Sequence, residues 1–430
     1  MSDFNVYSDM SETPYDVIVI GAGAAGLMAA GSAAEAGASV LLLDSMRRAG
    51  RKLLITGKGR CNLTNNSGIA EYMKQIYPVP KFCRPMFSRF FVPDTLRHFY
   101  RLGVPTIEER GRRVFPQSQR AMDVADALVK WVSEQGVTIK YERKVKRLVS
   151  ENGHFTSVIL DTGAAFGGRT CILATGGRSY PATGSTGDGY RMAEETGHHI
   201  SGIYPALVPL ETKGELAPSL QGLSMKNVTA SLWIGNKKHS DIFGEMLFTH
   251  FGLSGPIILD LSREAVRALG RDERVEIVLD CKPALDEATL DARLLRELDT
   301  NGRAKLKTMI KNLVPLKMVL PLCEYAGLNP EMFCNQVTAA ERKQLLQSLK
   351  HLRFEVIGHT GWNDAIITSG GVDLKEVNPS TMESKILPGL FFAGEILDLD
   401  AATGGYNLQI AWSSGHVAGI NTAQKAGTCL

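Results

Sequence analysis

Three glycines and two acids are the residues whose types and spacing speak first of chemistry in this chain. Gly21-Ala22-Gly23-Ala24-Ala25-Gly26 has the spacing G-x-G-x-x-G. There the first glycine permits a tight turn, the second lets a pyrophosphate approach the backbone, and the third lets helix and strand pack closely. Asp44 follows about 20 residues on, where an acid accepts hydrogen bonds from ribose hydroxyls. Near the other end, Glu395 precedes a loop carrying Gly404 and Gly405. This acid is placed to take further hydroxyls of an extended ligand. A helix starting near Asn407 to Gln409 would turn its positive dipole end toward the pyrimidine edge of a flavin, where it stabilises negative charge. Both ends have plainer alternatives: a βαβ unit without cofactor, and a buried strand and helix joined by a glycine turn.

Such residues need particular elements to hold them. Asp16 to Ile20 is a short β-branched run, Ala24 to Ala36 a small-residue helix closing at Gly37, and Ser39 to Leu43 a second apolar run. The order strand, helix, strand is that of a βαβ unit. A third segment, Cys171 to Gly197, runs as a strand into Thr175-Gly176-Gly177 and then into a helix from about Asp188. The C-terminal segment repeats the pattern, with a strand over Leu390 to Ala393. In an open α/β sheet, ligands lie beyond the carboxyl ends of the strands, so the three segments can meet one ligand.

Composition narrows the class. The chain has 430 residues, 44% of them hydrophobic and 22% charged, too many for one compact core. A net charge of +3 lacks the field that drives non-specific nucleic-acid binding, which disfavours a nucleic-acid partner and favours a small molecule. Seven scattered cysteines without a C-x-x-C pair argue for a reducing, cytoplasmic setting rather than a disulfide framework. Glycines interrupt the one apolar candidate for a signal or membrane segment, and Asp3, Asp9 and Glu12 precede it, so no membrane partner is expected. There is no metal-ligand spacing, no Walker lysine and no signal for an oligomeric state.

The N-terminal βαβ, the "ATGG" to "TGDG" segment and the "FAGE" end resemble the glutathione-reductase-like flavoprotein superfamily, in the branch with fumarate-reductase flavoproteins. "GRKLLITGKGRCNLTN" (50–65), "GEMLFTHFGLSGP" (244–256), "TSGGV" (368–372) and the long run 378–415 are similar to the BaiN-like, aminoacetone-oxidase-like bacterial flavoproteins. That resemblance implies an α/β fold: a Rossmann-like FAD-binding domain with an inserted β-barrel plus helical domain. The FAD-binding domain is expected over 1–200 and 363–430, the barrel over 201–284 plus 351–362, and the helical part over 285–350. Alternating runs such as "VTASLWI" and "RVEIVLD" fit the barrel. Asn329-Pro330 reads as a helix start, and Thr338 with Glu341 as a capping box.

The resemblance further implies FAD held by Gly21, Gly23, Ala24, Ala25, Gly26, Asp44 and Ser45. To these it adds Arg51, Lys52, Gly59, Arg60, Cys61, Asn62, Ala174, Thr175 and Gly176, and from the C-terminal segment Gly394, Glu395, Gly405, Tyr406, Asn407 and Leu408. Two positions depart from the family pattern. Asp44 replaces the usual glutamate, and Lys58 stands where small residues are usual.

Candidates for the reaction itself are fewer. His250 can serve as general acid opposite a hydride, or as a structural histidine at a strand end. Tyr406 touches the ring or wedges its loop, and Cys61, without a partner cysteine, reads as a small buried residue. No second G-x-G-x-x-G unit marks a nicotinamide domain, so NAD(P)H would bind transiently. Three readings follow: an NAD(P)H-driven FAD reductase of an activated double bond in a small organic substrate; an amine oxidase producing peroxide; and a flavin-bearing RNA-associated protein. The last draws on the arginine and aromatic stretch from Phe82 to Arg120 and on flavoprotein relatives that modify tRNA. Plain amphipathic helices with solvated arginines explain most of that stretch, and "GRRVFP" (111–116) can also steer an anionic substrate.

Overall fold

In the computed structural model, residues 14–428 are described. They form two compact units, one made of the chain up to Tyr204 together with Ile366 onward, the other of Pro205–Ala365.

The first unit is built on a seven-stranded sheet. Its elements are β1 (Tyr15–Ile20), α1 (Ala24–Glu35), β2 (Val40–Leu43), α2 (Arg51–Ile55), β3 (Thr64–Asn65), β4 (Thr106–Glu109) and β5 (Arg113–Pro116), then β6 (Thr138–Lys140), β7 (Val145–Glu151), β8 (His154–Leu160), β9 (Ala165–Leu173), α3 (Asp188–Glu195), β10 (Leu390–Phe392) and α4 (Tyr406–Thr428). β3 and β4 each pair with β5 in a separate three-stranded sheet. In the large sheet, β6, β2, β1, β9 and β10 run parallel, with Val17 opposite both Val40 and Thr170, and Cys171 opposite Leu390. Strands buried on both faces need unbroken apolar runs, which VIVI and VLLL supply. The amino-terminal part of β9 instead pairs antiparallel with β8, which hairpins to β7 through Asn152-Gly153, both at positive φ.

Small residues let α1 and α4 touch backbone to backbone. A Cβ on Gly415 would stand 2.4 Å from the carbonyl oxygen of Ala25, and one on Gly419 at the same distance from that of Ala29. The alanine-rich sequence of α1 thus serves a helix crossing as well as the glycine turn before it.

The second unit is a closed six-stranded antiparallel barrel in the order Leu210–Thr212, Gly252–Ser254, Lys237–Phe248, Ser224–Ile234, Val275–Asp280, Leu352–His359. The tight Gly235-Asn236 connection appears as expected. Two expectations need correction. The stretch 201–284, expected to form the barrel, also contains a helix, Pro256–Leu269, which packs on the barrel where Gly244 leaves room for Ile257. Asn329-Pro330 begins a turn, not a helix, because the Asn329 side chain accepts from the Glu331 N–H at 3.0 Å. The capping box is formed: Thr338 Oγ1 accepts from the Glu341 N–H, and Glu341 Oε2 accepts from the Thr338 N–H at 2.8 Å. The helices Glu287–Thr300 and Ala339–Lys350 are tied by a two-pronged Arg342–Asp291 pair at 2.8 and 3.2 Å.

Candidate functional site

The turn from β1 into α1 distinguishes its three glycines physically. Gly21 has φ +102°, and a Cβ there would lie 2.6 Å from the carbonyl oxygen of Ala174. On Gly26 a Cβ would lie 1.8 Å from the carbonyl oxygen of Gly21, so this glycine is required by the fold itself. A Cβ on Gly23 meets no atom of the described residues within 4 Å. Open space over Gly23 is what a ligand's approach requires, and packing does not explain that glycine. The first intrahelical bond is from the Leu27 N–H to the Gly23 carbonyl, at 2.9 Å. The N–H groups of Ala24, Ala25 and Gly26 therefore precede it, at the positive end of a twelve-residue helix suited to a pyrophosphate.

Asp44 closes this half. Its Oδ2 accepts from the Ala22 N–H at 2.6 Å and its Oδ1 from the Met46 N–H at 2.7 Å. A carboxylate has about four lone-pair sites, so room remains for hydroxyl donors. Burial pushes the Asp44 carboxyl above the usual aspartate range, while the two backbone donors and Arg51 pull against that shift. Ser45 is exposed beside it.

The second half surrounds Glu395. Its Oε1 accepts from Ser179 Oγ at 2.8 Å and from the Thr368 N–H at 2.8 Å, and its Oε2 from Lys52 Nζ at 2.7 Å. Lys52 Nζ also donates to Ser179 Oγ at 2.6 Å. Glu395 is therefore fixed by three protein donors before any ligand hydroxyl reaches it. Ser179 and Thr368 went unnoticed as single residues in the sequence, although Thr368 opens the TSGGV segment. The chain before β10 and the Thr175-Gly176-Gly177 loop meet here: a Cβ on Gly177 would strike Thr368 Oγ1 at 2.2 Å. Gly394 lies against α1, its Cβ position 2.7 Å from Ala25 Cβ.

The family loop 50–65 lies along the same unit. Asn62 Oδ1 and Thr175 Oγ1 are buried with no hydrogen-bond partner among the described residues. Unsatisfied buried groups are rare, and both belong to segments expected to touch FAD. With the open space over Gly23, they make the residues present a fit for that cofactor. Cys61 is fully buried at φ +61°, and burial raises its thiol to about 12, so it is inert as a nucleophile. Gly59 is exposed. Arg60 turns away to Glu109 at 2.9 Å and Gln119 at 2.8 Å, with its guanidinium 4.1 Å above the Phe115 ring. Its side chain is thus engaged by the β4–β5 hairpin.

The start of α4 forms the third side. Gly404 and Gly405 have φ +120° and +101°, and a Cβ on Gly405 would lie 2.5 Å from the Thr64 backbone. Gln409 donates its N–H to the Gly405 carbonyl, leaving those of Tyr406, Asn407 and Leu408 ahead of the first intrahelical bond. The Asn407 side chain is spoken for, bonding Ala401 as both acceptor and donor at 2.9 and 2.7 Å. Of this residue, only the backbone N–H is left to meet a ligand. Tyr406 packs edge-on against Tyr72 at 4.6 Å, which favours the wedge reading of this ring. Buried Gln409 accepts from Thr64 and Thr95 at 2.7 and 2.9 Å and fixes the helix start.

His250 belongs to the second unit, exposed in the connection between the strands Lys237–Phe248 and Gly252–Ser254, with its ring against Phe251. Among the described residues no cluster suits a metal ion, and no helix is long and apolar enough to cross a membrane.

Comparison with known proteins follows the same outline. A family model described as "HI0933-like protein Rossmann domain" matches residues 15–421. A "3-dehydro-bile acid delta(4,6)-reductase" of Clostridium scindens is 31% identical over 95% of this chain and 98% of its own length. A "ribosomal RNA dihydrouridine synthase" of Escherichia coli is 32% identical over 93% of this chain and 96% of its own. Among solved structures, a 3-ketosteroid delta1-dehydrogenase from Sterolibacterium denitrificans superposes with a TM-score of 0.54 at 13% identity, covering 97% of this chain and 100% of that one, a likeness of fold.

Proposed function

Because this chain belongs to the HI0933-like Rossmann-domain family and is an FAD-dependent oxidoreductase, we propose that it reduces a carbon–carbon double bond conjugated with a carbonyl, drawing hydride from NAD(P)H. One observation carries this reading. Two relatives of similar identity and near-complete coverage are named for different substrates but for one kind of chemistry. A 3-oxo steroid with delta(4,6) unsaturation and a uracil ring both present an alkene polarised by a carbonyl, and both names describe its saturation. FAD, when bound, supplies the hydride that adds to the electron-poor carbon.

The chain's residues supply the rest. The α1 start would hold the pyrophosphate, Asp44 the ribose, and Glu395, braced by Lys52 and Ser179, the ribityl chain. The unclaimed N–H groups at the start of α4 favour negative charge at the site. The proton completing saturation comes from His250 or from water. A His250→Gln variant separates the two, since loss of turnover with a changed pH profile assigns the histidine and an unaltered profile assigns water.

The deciding experiment is anaerobic reduction followed through the visible flavin band, with NADH and then NADPH, and then addition of a conjugated ketone. Bleaching by a nicotinamide and recovery of the band on adding the ketone support the proposal. A band that persists with both nicotinamides but bleaches with a small amine, forming peroxide in air, gives the oxidase reading instead. For the substrate, the steroid-directed relative favours a small molecule. The RNA-directed relative, together with exposed arginines beside the loop that opens α4, favours a uracil ring within RNA.

A further inference from the structure

The β4–β5 hairpin has features its local fold does not require. Its tip is Arg110-Gly111-Arg112, with Gly111 at φ +79° and Arg112 at φ +58°. Both arginines are exposed, and neither guanidinium has a partner among the described residues. The tip is held firmly in place. Asn65 Nδ2 donates to the Gly111 carbonyl and to the Gly404 carbonyl, each at 3.1 Å, so one amide fastens the arginine turn to the loop that opens α4. The Asn66 N–H donates to the Arg112 carbonyl at 2.7 Å, and Arg113 Nε to the Arg110 carbonyl at 3.1 Å.

Charge accumulates around this turn. Loop 57–60 and the hairpin together carry Lys58, Arg60, Arg110, Arg112 and Arg113 but only two acids, Glu108 and Glu109. Glu109 is paired with Arg60, and Glu108 accepts from the Asn66 side chain at 2.7 Å. Phe115 anchors the cluster, with Arg60 and Arg113 at 4.1 and 5.9 Å from its ring centre. Net charge over the whole chain conceals this concentration. An exposed, backbone-fixed pair of guanidiniums suits successive phosphates of a strand, because each offers a planar fork for phosphate oxygens.

We propose that the Arg110-Gly111-Arg112 turn is a phosphate-gripping arm that holds an RNA strand beside the α4 loop. This rests on the reading of a uracil ring within RNA as the substrate. A carboxylated small molecule would present related anionic chemistry, and the test distinguishes the two.

The probe is bacterial ribosomal RNA stripped of protein, bound to FAD-loaded wild type, to R110A/R112A, and to K146A/R147A, which removes two exposed cations from β7. Bound FAD and melting temperature check that each variant is folded. Two single-strand phosphate contacts contribute roughly 1.4 to the salt slope, so R110A/R112A should lose roughly sevenfold less affinity than wild type between about 50 and 200 mM salt. K146A/R147A should follow wild type. An R110A/R112A slope and affinity equal to wild type would overturn the arm while leaving RNA as substrate. Absence of RNA binding by wild type, with a raised KM of R110A/R112A for a carboxylated enone but not for a neutral one, would give the arginines to a small anionic substrate and overturn the RNA assignment. Failure of conjugated-bond reduction is read separately, from recovery of the flavin band.

Discussion

Gly23→Ala separates the proposed role of the β1–α1 turn in holding FAD from its packing. The backbone at Gly23 has φ −82° and ψ −168°, a region open to any L-residue, and the new methyl meets no atom of the described residues within 4 Å. The apoprotein should therefore melt within about 1 kcal/mol of wild type, since loss of unfolded-state freedom roughly offsets the poorer N-cap. FAD binding should suffer, because the methyl occupies the space through which a pyrophosphate reaches the N–H groups of α1. Losing two charge-assisted hydrogen bonds at about 1.5 kcal/mol each weakens affinity by on the order of 100-fold. Quenching of FAD fluorescence on titration with apoprotein measures the affinity, and a thermal melt measures the stability. Gly26→Ala is the contrast: its methyl would overlap the Gly21 carbonyl at 1.8 Å, so the apoprotein itself should be destabilised. Unchanged FAD affinity in Gly23→Ala would refute the pyrophosphate path. A large loss of apoprotein stability would refute the open-space argument.

Other perturbations bear on the surrounding residues. The Asp44 carboxyl is raised by burial, so its ionisation opposes folding as pH rises from the usual aspartate value through the folded value. Ribose hydroxyls need the ionised form, and FAD affinity should fall with acid through that raised value in wild type but stay flat in Asp44→Asn; parallel profiles would detach Asp44 from the ribose. Lys52→Met removes the cation from Glu395, and because the pair is about one-fifth exposed the loss should be on the order of 2 kcal/mol in the melt, with faster FAD release; an unaltered release rate would show the pair to be idle. His98 is buried with its Nε2 unpartnered among the described residues, and burial lowers it from 6.5 to about 4. Its neutral form is favoured on folding, so stability is full above pH 6.5 and falls by about 3 kcal/mol as pH drops to about 4. His98→Phe should flatten that part of the acid stability curve, and an unchanged curve would place the titration elsewhere.

The β1–α1 glycine turn was legible because its determinants are local. Three glycines, a short β-branched strand and an acid at the end of the next strand each answer to backbone geometry within one βαβ unit. The barrel hairpin through Gly235-Asn236 and the Thr338 capping box were readable for the same reason. The Lys52–Glu395 pair spans 343 residues of sequence, and no local pattern announces it. Arg60 and Asn407 sit in recognisable motifs, yet their side chains serve the protein itself, a choice made by tertiary neighbours. The helix Pro256–Leu269 was hidden by the apolar run at its start, where a strand and a buried helix look alike. The +3 net charge is a sum over the chain and does not register a cluster of cations on one hairpin.

Conjugated-bond reduction is tested most directly without any nicotinamide. Protein reduced with dithionite under argon is mixed, in separate syringes, with a 4-en-3-one steroid, with uridine-containing ribosomal RNA, and with an isolated alkene, while the visible flavin band is followed. The band should return with at least one conjugated acceptor, with one saturated product formed per flavin, and stay bleached with the isolated alkene. A band that stays bleached with both conjugated acceptors and returns only on admitting oxygen, with peroxide, would contradict conjugated-bond reduction.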